Sequence, residues 1–256
     1  MSENKGLIII QTIRDRLITR FGTIFYPPKK NRFVLESPIQ SIKSLLNVEE
    51  DQINTYRNPI FVEDIIRVIE DNVKNRMPKA RYEKIMDFSK NKEWIDILES
   101  IYILLRIKKP EVVIETGIGE IGMSTTFMLQ ALNENRLGHL YSVDPDKFYH
   151  IYGYHVGTGI PDNLKVRHTV VVGNSQDKLE DLLKKVNRVD VFLHDGDHRY
   201  KTKTFEYESA LRHLNNDGFI LSDDTFDSSV DRFIARHNMH GVSVRHGNSF
   251  FSYTRK

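Results

Sequence analysis

The stretch Val112-Val-Ile-Glu-Thr-Gly-Ile-Gly-Glu-Ile-Gly-Met-Ser-Thr125 joins three predicted elements. Its β-branched start predicts a buried strand, its three glycines predict a tight turn, and the residues from Ser124 to Leu132 predict a helix. Glycine tolerates positive φ and lets a ligand approach the backbone, while the first turn of a helix offers unpaired N–H groups. The stretch is therefore typical of a site for a nucleotide-like cofactor.

The glycines alone leave the kind of cofactor open. Gly117, Gly119 and Gly122 have the Gly-x-Gly-x-x-Gly spacing that is also found in dinucleotide-binding proteins. Asp144 ends the next predicted strand, where several cofactor classes need a carboxylate for the ribose hydroxyls. Two plainer interpretations also exist: a turn that only links a strand to a helix, and an aspartate that only belongs to the turn before Pro145.

Composition narrows the class of protein. The chain has 256 residues, a formal net charge of +2 and no cysteine. This length suits one large domain, or one domain with an extension. The small net charge does not indicate a nucleic-acid binder by bulk electrostatics. The lack of cysteine excludes disulfides, thiolate metal sites and cysteine nucleophiles.

The N-terminal part predicts helices. An amphipathic helix is expected near residues 7–20, followed by helices near 59–75, 80–89 and 92–107. No signal peptide or membrane span is evident, so we expect a cytoplasmic protein. We assign residues 1–91 to a helical N-terminal extension that forms a cap or a homodimer surface, and residues 92–256 to the main domain.

Strands and helices alternate after residue 112. Strands are expected near 140–144, 165–172, 189–195 and 218–224, with helices between them, which is the pattern of a parallel sheet covered on both faces. Residues 242–253 then predict two strands joined by a tight hairpin. The predicted fold class is α/β: a Rossmann-like, seven-stranded, mostly parallel sheet with a C-terminal antiparallel hairpin, preceded by the helical N-terminal extension.

Residues 92–256 resemble the class I S-adenosylmethionine-dependent methyltransferases. The segment His194-Asp-Gly-Asp-His-Arg-Tyr200 is similar to the His-Asp-Gly-Asp-His-x-Tyr segment of a small-molecule O-methyltransferase branch, and Gly218-Phe-Ile-Leu-Ser-Asp-Asp-Thr225 is similar to its next strand end. The C-terminal hairpin also resembles that of the family. This chain differs from the branch in one extra residue around Glu120-Ile121.

The resemblance implies S-adenosylmethionine as the cofactor and a set of residues that hold it. Glu115, Gly117 and Gly119 would line its methionine half, Asp144 would bind the ribose, and Asp195 would lie at the sulfonium. The complete set of expected cofactor-binding residues is Glu115, Gly117, Gly119, Gly122, Ser124, Asp144, Asn174, Ser175 and Asp195. Asn174 and Ser175 would border the adenine, although Asn174 is also a candidate helix cap.

Three carboxylates, Asp195, Asp223 and Asp224, end two strands that this fold makes neighbours. Such oxygen ligands suit Mg²⁺, which would lower the pKa of an acceptor hydroxyl. Alternatively, Asp223 and Asp224 only cap the next helix, and Asp195 only neutralises the sulfonium. His198 is the candidate general base, together with Asp195 as a catalytic residue, while His194 is expected to be buried or a secondary partner.

The functional prediction is a methyltransferase that acts on oxygen of a small-molecule or sugar-like acceptor, with possible metal assistance. An RNA methyltransferase is the first alternative, because Arg20, Lys29, Lys30 and Arg32 cluster near the N terminus. A nicotinamide-dependent oxidoreductase and a non-catalytic, cofactor-binding scaffold are the others. The aromatic segment 148–159 is expected either to close over the ligands or to pack on the extension.

Overall fold

A computed structural model describes residues 34–74, 76–247 and 249–256. The helices in these ranges are α1 (Pro38–Leu46), α2 (Glu50–Asn54), α3 (Pro59–Lys74), α4 (Lys79–Ser89), α5 (Lys92–Lys108), α6 (Met123–Asn135), α7 (Lys147–Tyr152), α8 (Ser175–Val186), α9 (Tyr200–His213) and α10 (Ser229–His237). The strands are β1 (Val34–Leu35), β2 (Val112–Thr116), β3 (His139–Asp144), β4 (His168–Val172), β5 (Val189–His194), β6 (Leu214–Ser222), β7 (His240–His246) and β8 (Ser249–Arg255). The helix expected at 7–20 and the basic residues Arg20, Lys29, Lys30 and Arg32 lie outside the described ranges.

The strands form one sheet with the order β1-β7-β8-β6-β5-β2-β3-β4. Strands β2 to β6 are parallel, whereas β8 runs antiparallel to both β6 and β7. The predicted Rossmann-like sheet with a C-terminal antiparallel hairpin is therefore confirmed, and the short β1 adds an eighth strand parallel to β7. Strand β2 lies between β3 and β5, so the chain order reverses there, and open α/β sheets bind ligands at such a point.

Local sequence explains where the strand before the glycine turn begins. The side chain of Asn91 caps α5 by accepting a hydrogen bond from the backbone N–H of Trp94 at 3.2 Å. Lys109 ends this helix in the left-handed conformation, and Pro110 prevents its continuation. The chain therefore enters β2 at Val112.

The structure differs from the predicted element boundaries in three places. Residues 162–167 form a 3₁₀ helix, so β4 begins at His168 instead of near 165. Strand β6 begins at Leu214 instead of near 218, because Leu214 pairs with Val189 before an irregularity in the register. The aromatic segment contains the helix α7, which a segment so rich in glycine and tyrosine does not predict.

The described part of the N-terminal extension shares the core of the main domain. Ile69 and Val73 of α3, Leu98 of α5 and Phe127 of α6 belong to one buried cluster on one face of the sheet. Phe192 and other residues form a second cluster on the opposite face. The domain boundary after residue 91 stays a prediction. Within the described ranges, every helix is too short or too polar to cross a bilayer.

Candidate functional site

The tips of four neighbouring strands meet at one edge of the sheet. Backbone hydrogen bonds connect them: the N–H of Gly117 donates to the carbonyl of Val143, and the N–H of Asp195 donates to that of Thr116, both at 2.9 Å. The N–H of Asp223, just after β6, donates to the carbonyl of His194 at the end of β5, also at 2.9 Å. The predicted site residues at the ends of β2, β3, β5 and β6 therefore lie side by side.

The three glycines of the turn have different surroundings. A Cβ atom on Gly117 would lie 2.1 Å from the carbonyl oxygen of Asp195, so this glycine allows the turn to pack against the end of β5. A Cβ on Gly122 would meet Ile160 at 2.7 Å, so its space is taken by the protein itself. Gly119 has a φ of +71° and no atom within 4 Å of its ideal Cβ position. Open space for a ligand is therefore found at Gly119.

Glu115 is a fully buried carboxyl group at the end of β2. Its Oε1 accepts hydrogen bonds from the hydroxyls of Thr125 at 2.8 Å and Ser142 at 2.5 Å. Its Oε2 is buried and has no hydrogen-bond partner among the residues that the structure describes. Burial raises the pKa of Glu115 to about 8, against a lowering effect of the two hydroxyls. The side chain thus offers an unused acceptor close to the glycine turn.

This raised pKa predicts a pH-dependent effect of Glu115→Gln. Between about pH 5.5 and 7.5 the unfolded state ionises Glu115 while the folded state keeps its proton, so this group lowers the free energy of unfolding as pH rises. At about 1.4 kcal/mol per pH unit, the variant should gain on the order of 2 kcal/mol relative to the wild-type protein across this range. Urea unfolding at several pH values measures the difference.

The exposed Glu111 provides the matched control for that experiment. It forms an ion pair with Arg188 at the surface, where each side chain is about half exposed. Glu111→Gln should therefore follow the wild-type pH profile closely. Parallel profiles for Glu115→Gln and the wild-type protein would contradict the assigned cause of the pKa shift.

Asp144 ends β3 with its carboxylate against the glycine turn. Its Oδ2 accepts from the N–H of Ile118 at 2.9 Å, and its Oδ1 accepts from the N–H of Asp146 at 2.8 Å. Asp146 in turn accepts from the N–H of Val156 at 2.9 Å and contacts His155 Nδ1 at 2.5 Å. The backbone N–H of Gly119 also interacts with this carboxylate and lowers its pKa against the effect of burial. The Asp144 carboxylate also fixes where the aromatic segment starts.

Asn174 and Ser175 lie at the start of α8, beyond the end of β4. Asn174 is exposed and occupies the N-cap position, but its side chain donates to Asp177 at 3.3 Å and accepts no helix N–H. Ser175 is buried and contacts Gln176 at 3.4 Å. Asn174 therefore occupies the N-cap position without capping the helix through its side chain. Its contact with adenine stays a prediction. Ser124 of α6 is buried, and its hydroxyl lowers the pKa of Asp195 against the larger effect of burial.

Acidic groups are concentrated at the ends of β5 and β6. Burial and the neighbouring Asp223, Glu115 and Asp224 raise the pKa of Asp195 well above its usual value. Burial and Asp224 raise the pKa of Asp223 to about 8. Oδ1 of Asp223 is buried and finds no hydrogen-bond partner within the described ranges. Such repulsion between carboxylates is relieved by a proton or by a bound cation.

One histidine completes this cluster. Ligand atoms of Asp195, His198 and Asp223 lie within 4.8 Å of one another. Asp224, which was expected as the third ligand, has a φ of +49° and a carboxylate that lies 3.5 Å from His198 Nε2. Neither Asp223 nor Asp224 caps α10, because Asp227 accepts the hydrogen bond from the Ser229 N–H instead.

Sequence reasoning missed a second group of residues that hold the site. Arg81 of α4 donates to Oε1 and Oε2 of the buried Glu120 at 2.8 and 3.0 Å, and Tyr154 donates to the same carboxylate. Residues 157–159 also donate backbone hydrogen bonds to the carbonyls of 119–121. The one available signal was the extra residue at Glu120-Ile121. It places a carboxylate where the extension and the aromatic segment converge.

Comparison with known proteins agrees with this architecture. Residues 114–225 match the family model described as a methyltransferase domain. A search of the curated proteins found no match.

Several solved structures have a similar fold. The SAH-bound methyltransferase of Podospora anserina is 14% identical and has a TM-score of 0.53, covering 75% of this chain and 88% of its own. A putative O-methyltransferase from Klebsiella pneumoniae is 16% identical with a TM-score of 0.53, covering 78% and 90%. An O-methyltransferase from Bacillus cereus in complex with SAH is 14% identical with a TM-score of 0.50, covering 85% and 96%.

The glycine turn fits several cofactor classes, whereas the antiparallel C-terminal hairpin and the family match favour a methyltransferase over a nicotinamide-dependent oxidoreductase. Residues 114–225 are similar to a methyltransferase domain, and the sheet has the Rossmann-like fold of the solved methyltransferases described above.

Proposed function

We propose that this protein transfers the methyl group of S-adenosylmethionine to an oxygen atom of a small-molecule acceptor, with a divalent cation at the acidic cluster. One observation carries the proposal: the open glycine position, the unpartnered buried oxygen of Glu115 and the acidic cluster lie along one sheet edge within a methyltransferase domain. Two of the similar structures, those from Podospora anserina and Bacillus cereus, are SAH complexes.

The residues at the glycine turn fit the proposed cofactor. Oε2 of Glu115 would accept from the ammonium group of the methionine half, and this positive charge would stabilise the ionised carboxylate. Gly119 leaves room for the ligand at the backbone. Asp144, whose carboxylate lies against the glycine turn, would accept from the ribose hydroxyls. Asn174 and Ser175, at the next strand end, would border the adenine.

The acidic cluster fits a hard cation such as Mg²⁺. Asp195 and Asp223 would be the shared ligands, and either His198 or Asp224 would add a third. The carboxyl groups carry raised pKa values, which indicates that an opposite charge is needed to ionise them together. A bound cation would supply Lewis acidity that lowers the pKa of an acceptor hydroxyl.

In the proposed reaction the protein mainly positions the two reactants. Methyl transfer requires the acceptor oxygen to lie in line with the sulfonium and its methyl group, so orientation supplies much of the rate. Asp195 lies next to the cofactor turn and also belongs to the acidic cluster, so it would contact both the cofactor and the cation. Burial lowers the pKa of His198 to about 4, so its imidazole is neutral at pH 7 and can bind a cation or accept the hydroxyl proton.

Calorimetric titration with S-adenosylhomocysteine, with and without Mg²⁺, tests this proposal. We expect binding of S-adenosylhomocysteine and none of NAD. Asp144→Ala should weaken binding at least tenfold, because it removes charge-assisted hydrogen bonds to the ribose. Asp181→Ala is the control, since Asp181 is largely exposed and pairs with Lys184 on the surface of α8.

Other outcomes of the titration have distinct meanings. No binding of S-adenosylhomocysteine under either condition would overturn the proposal, and binding of NAD in its place would support an oxidoreductase. Cofactor binding without methyl transfer to any acceptor tested would favour the non-catalytic scaffold. Strongly salt-dependent binding of RNA would favour a nucleic-acid acceptor.

A further inference from the structure

We infer that Glu206 and His194 are positioning residues that keep the ring proton of His198 on Nδ1 and so leave its Nε2 lone pair facing the acidic cluster. This inference deepens the proposed function and rests on it for its chemical consequence. The geometry that carries it is a line of hydrogen bonds from α9 through β5 to the site.

The line begins at a buried carboxylate. Glu206 of α9 and His194 of β5 are both fully buried. Oε2 of Glu206 lies 2.6 Å from Nδ1 of His194 and accepts a second hydrogen bond from the Thr116 hydroxyl at 2.6 Å. The ring of Tyr207 meets the His194 ring edge-on at 5.8 Å and limits its rotation. The His194 ring is therefore held in one orientation.

The positions of the protons follow from these contacts. A carboxylate oxygen that accepts from Thr116 can only accept from His194 as well, so His194 carries its proton on Nδ1. The other nitrogen of a neutral imidazole is an acceptor. His194 Nε2 lies 3.3 Å from Nδ1 of His198, and the two rings are nearly perpendicular. With a neutral His194, His198 therefore donates its Nδ1 proton to His194.

This arrangement leaves Nε2 of His198 without a proton at the functional edge. That atom lies 3.5 Å from Oδ2 of Asp224, so two electron-pair donors face each other. His198 also belongs to the group whose ligand atoms lie within 4.8 Å of those of Asp195 and Asp223. A cation or the proton of an acceptor hydroxyl would satisfy both partners. With the opposite tautomer, His198 would present an N–H that can neither bind a cation nor remove a proton.

Nitrogen-15 NMR of the histidine rings tests the inference without cofactor, acceptor or metal. Long-range ¹H–¹⁵N correlations distinguish the two tautomers, and replacing His194 and His198 one at a time assigns their signals. In the wild-type protein both rings should carry the proton on Nδ1. A proton on Nε2 of His198 in the wild-type protein would overturn the inference.

Glu206→Met tests the origin of this preference. The variant removes the acceptor at His194 Nδ1, so the His194 proton should move to His194 Nε2. That N–H would then donate a hydrogen bond to His198 Nδ1, and the His198 proton would therefore lie on His198 Nε2. We expect this exchange in the spectra and an affinity for Mn²⁺ at least tenfold weaker. An unchanged His198 tautomer in a folded Glu206→Met protein would overturn the inference, and the wild-type spectra decide if the variant does not fold.

Glu208→Met is the matched control. Glu208 lies on the same helix and also contacts a histidine, with its Oε2 2.9 Å from Nε2 of His237, but this pair is away from the site. Glu208→Met should leave the His198 tautomer and the Mn²⁺ affinity unchanged. Failure of the proposed function would appear as a loss of S-adenosylhomocysteine binding, which these spectra do not measure.

Discussion

Replacing Lys203 with methionine is expected to destabilise the protein by about 3–5 kcal/mol, because it removes one partner of a buried ion pair. Nζ of Lys203 lies 2.9 Å from Oδ2 of Asp227, and both side chains are almost completely buried. The same ammonium group donates to the backbone carbonyl of Asp224 at 3.0 Å and lies 4.5 Å from the ring centre of Phe226. Methionine fills similar space but leaves the Asp227 carboxylate buried without this cation.

Chemical denaturation measures this effect, and two further variants make it specific. Lys201→Met changes an exposed lysine on the same helix and should alter the free energy of unfolding only slightly. The double variant Lys203→Met/Asp227→Asn removes both charges and should recover much of the loss. A loss below about 1 kcal/mol for Lys203→Met, or no recovery in the double variant, would contradict the assigned role.

The second large effect is that of Asp195→Asn, which should weaken metal binding but stabilise the metal-free protein. Asp195→Asn should weaken Mn²⁺ binding more than a hundredfold, since it removes the charge of a proposed shared ligand. The same change should raise the thermal midpoint at pH 8 in the absence of metal. Burial and the neighbouring Asp223, Glu115 and Asp224 raise the pKa of Asp195, so ionising it in the folded protein is unfavourable. Electron paramagnetic resonance of Mn²⁺ and calorimetric melting measure the two effects.

Asp197→Asn is the control for this prediction. Asp197 is two residues further along and is held by Arg199 and Thr202, which lower the pKa of this carboxyl against the effect of burial. Its replacement should therefore lower the thermal midpoint and have little effect on Mn²⁺ affinity. A metal affinity unaffected by Asp195→Asn would exclude Asp195 as a ligand.

The general architecture could be predicted because it depends on signals that are local in sequence. The β-branched run before Glu115 and the proline that stops α5 at Pro110 identify the elements without knowledge of their neighbours. Parallel strands then place their carboxyl ends at one edge, so Asp144 and Asp195 were expected to lie near the glycine turn. The predicted residues therefore share one edge of the sheet, although their roles stay predictions.

The supporting residues could not be predicted because hydrophobic periodicity does not detect a polar helix face that is buried. Helix α9 buries Lys203 and Glu206 against the sheet, and in the sequence these residues are typical of a solvent-exposed surface. Their partners, Asp227 and His194, are distant in the chain. Pairing of this kind depends on tertiary contacts and leaves no local pattern.

The contact between Arg81 and Glu120 limits how this chain can be shortened. The carboxylate of Glu120 belongs to the glycine turn, whereas the guanidinium that neutralises it comes from α4, ahead of the expected boundary after residue 91. A fragment that begins at Lys92 would retain the matched methyltransferase region but bring an anion without its counterion to the cofactor turn. Excising the extension together with α4 is therefore expected to disturb the cofactor turn itself.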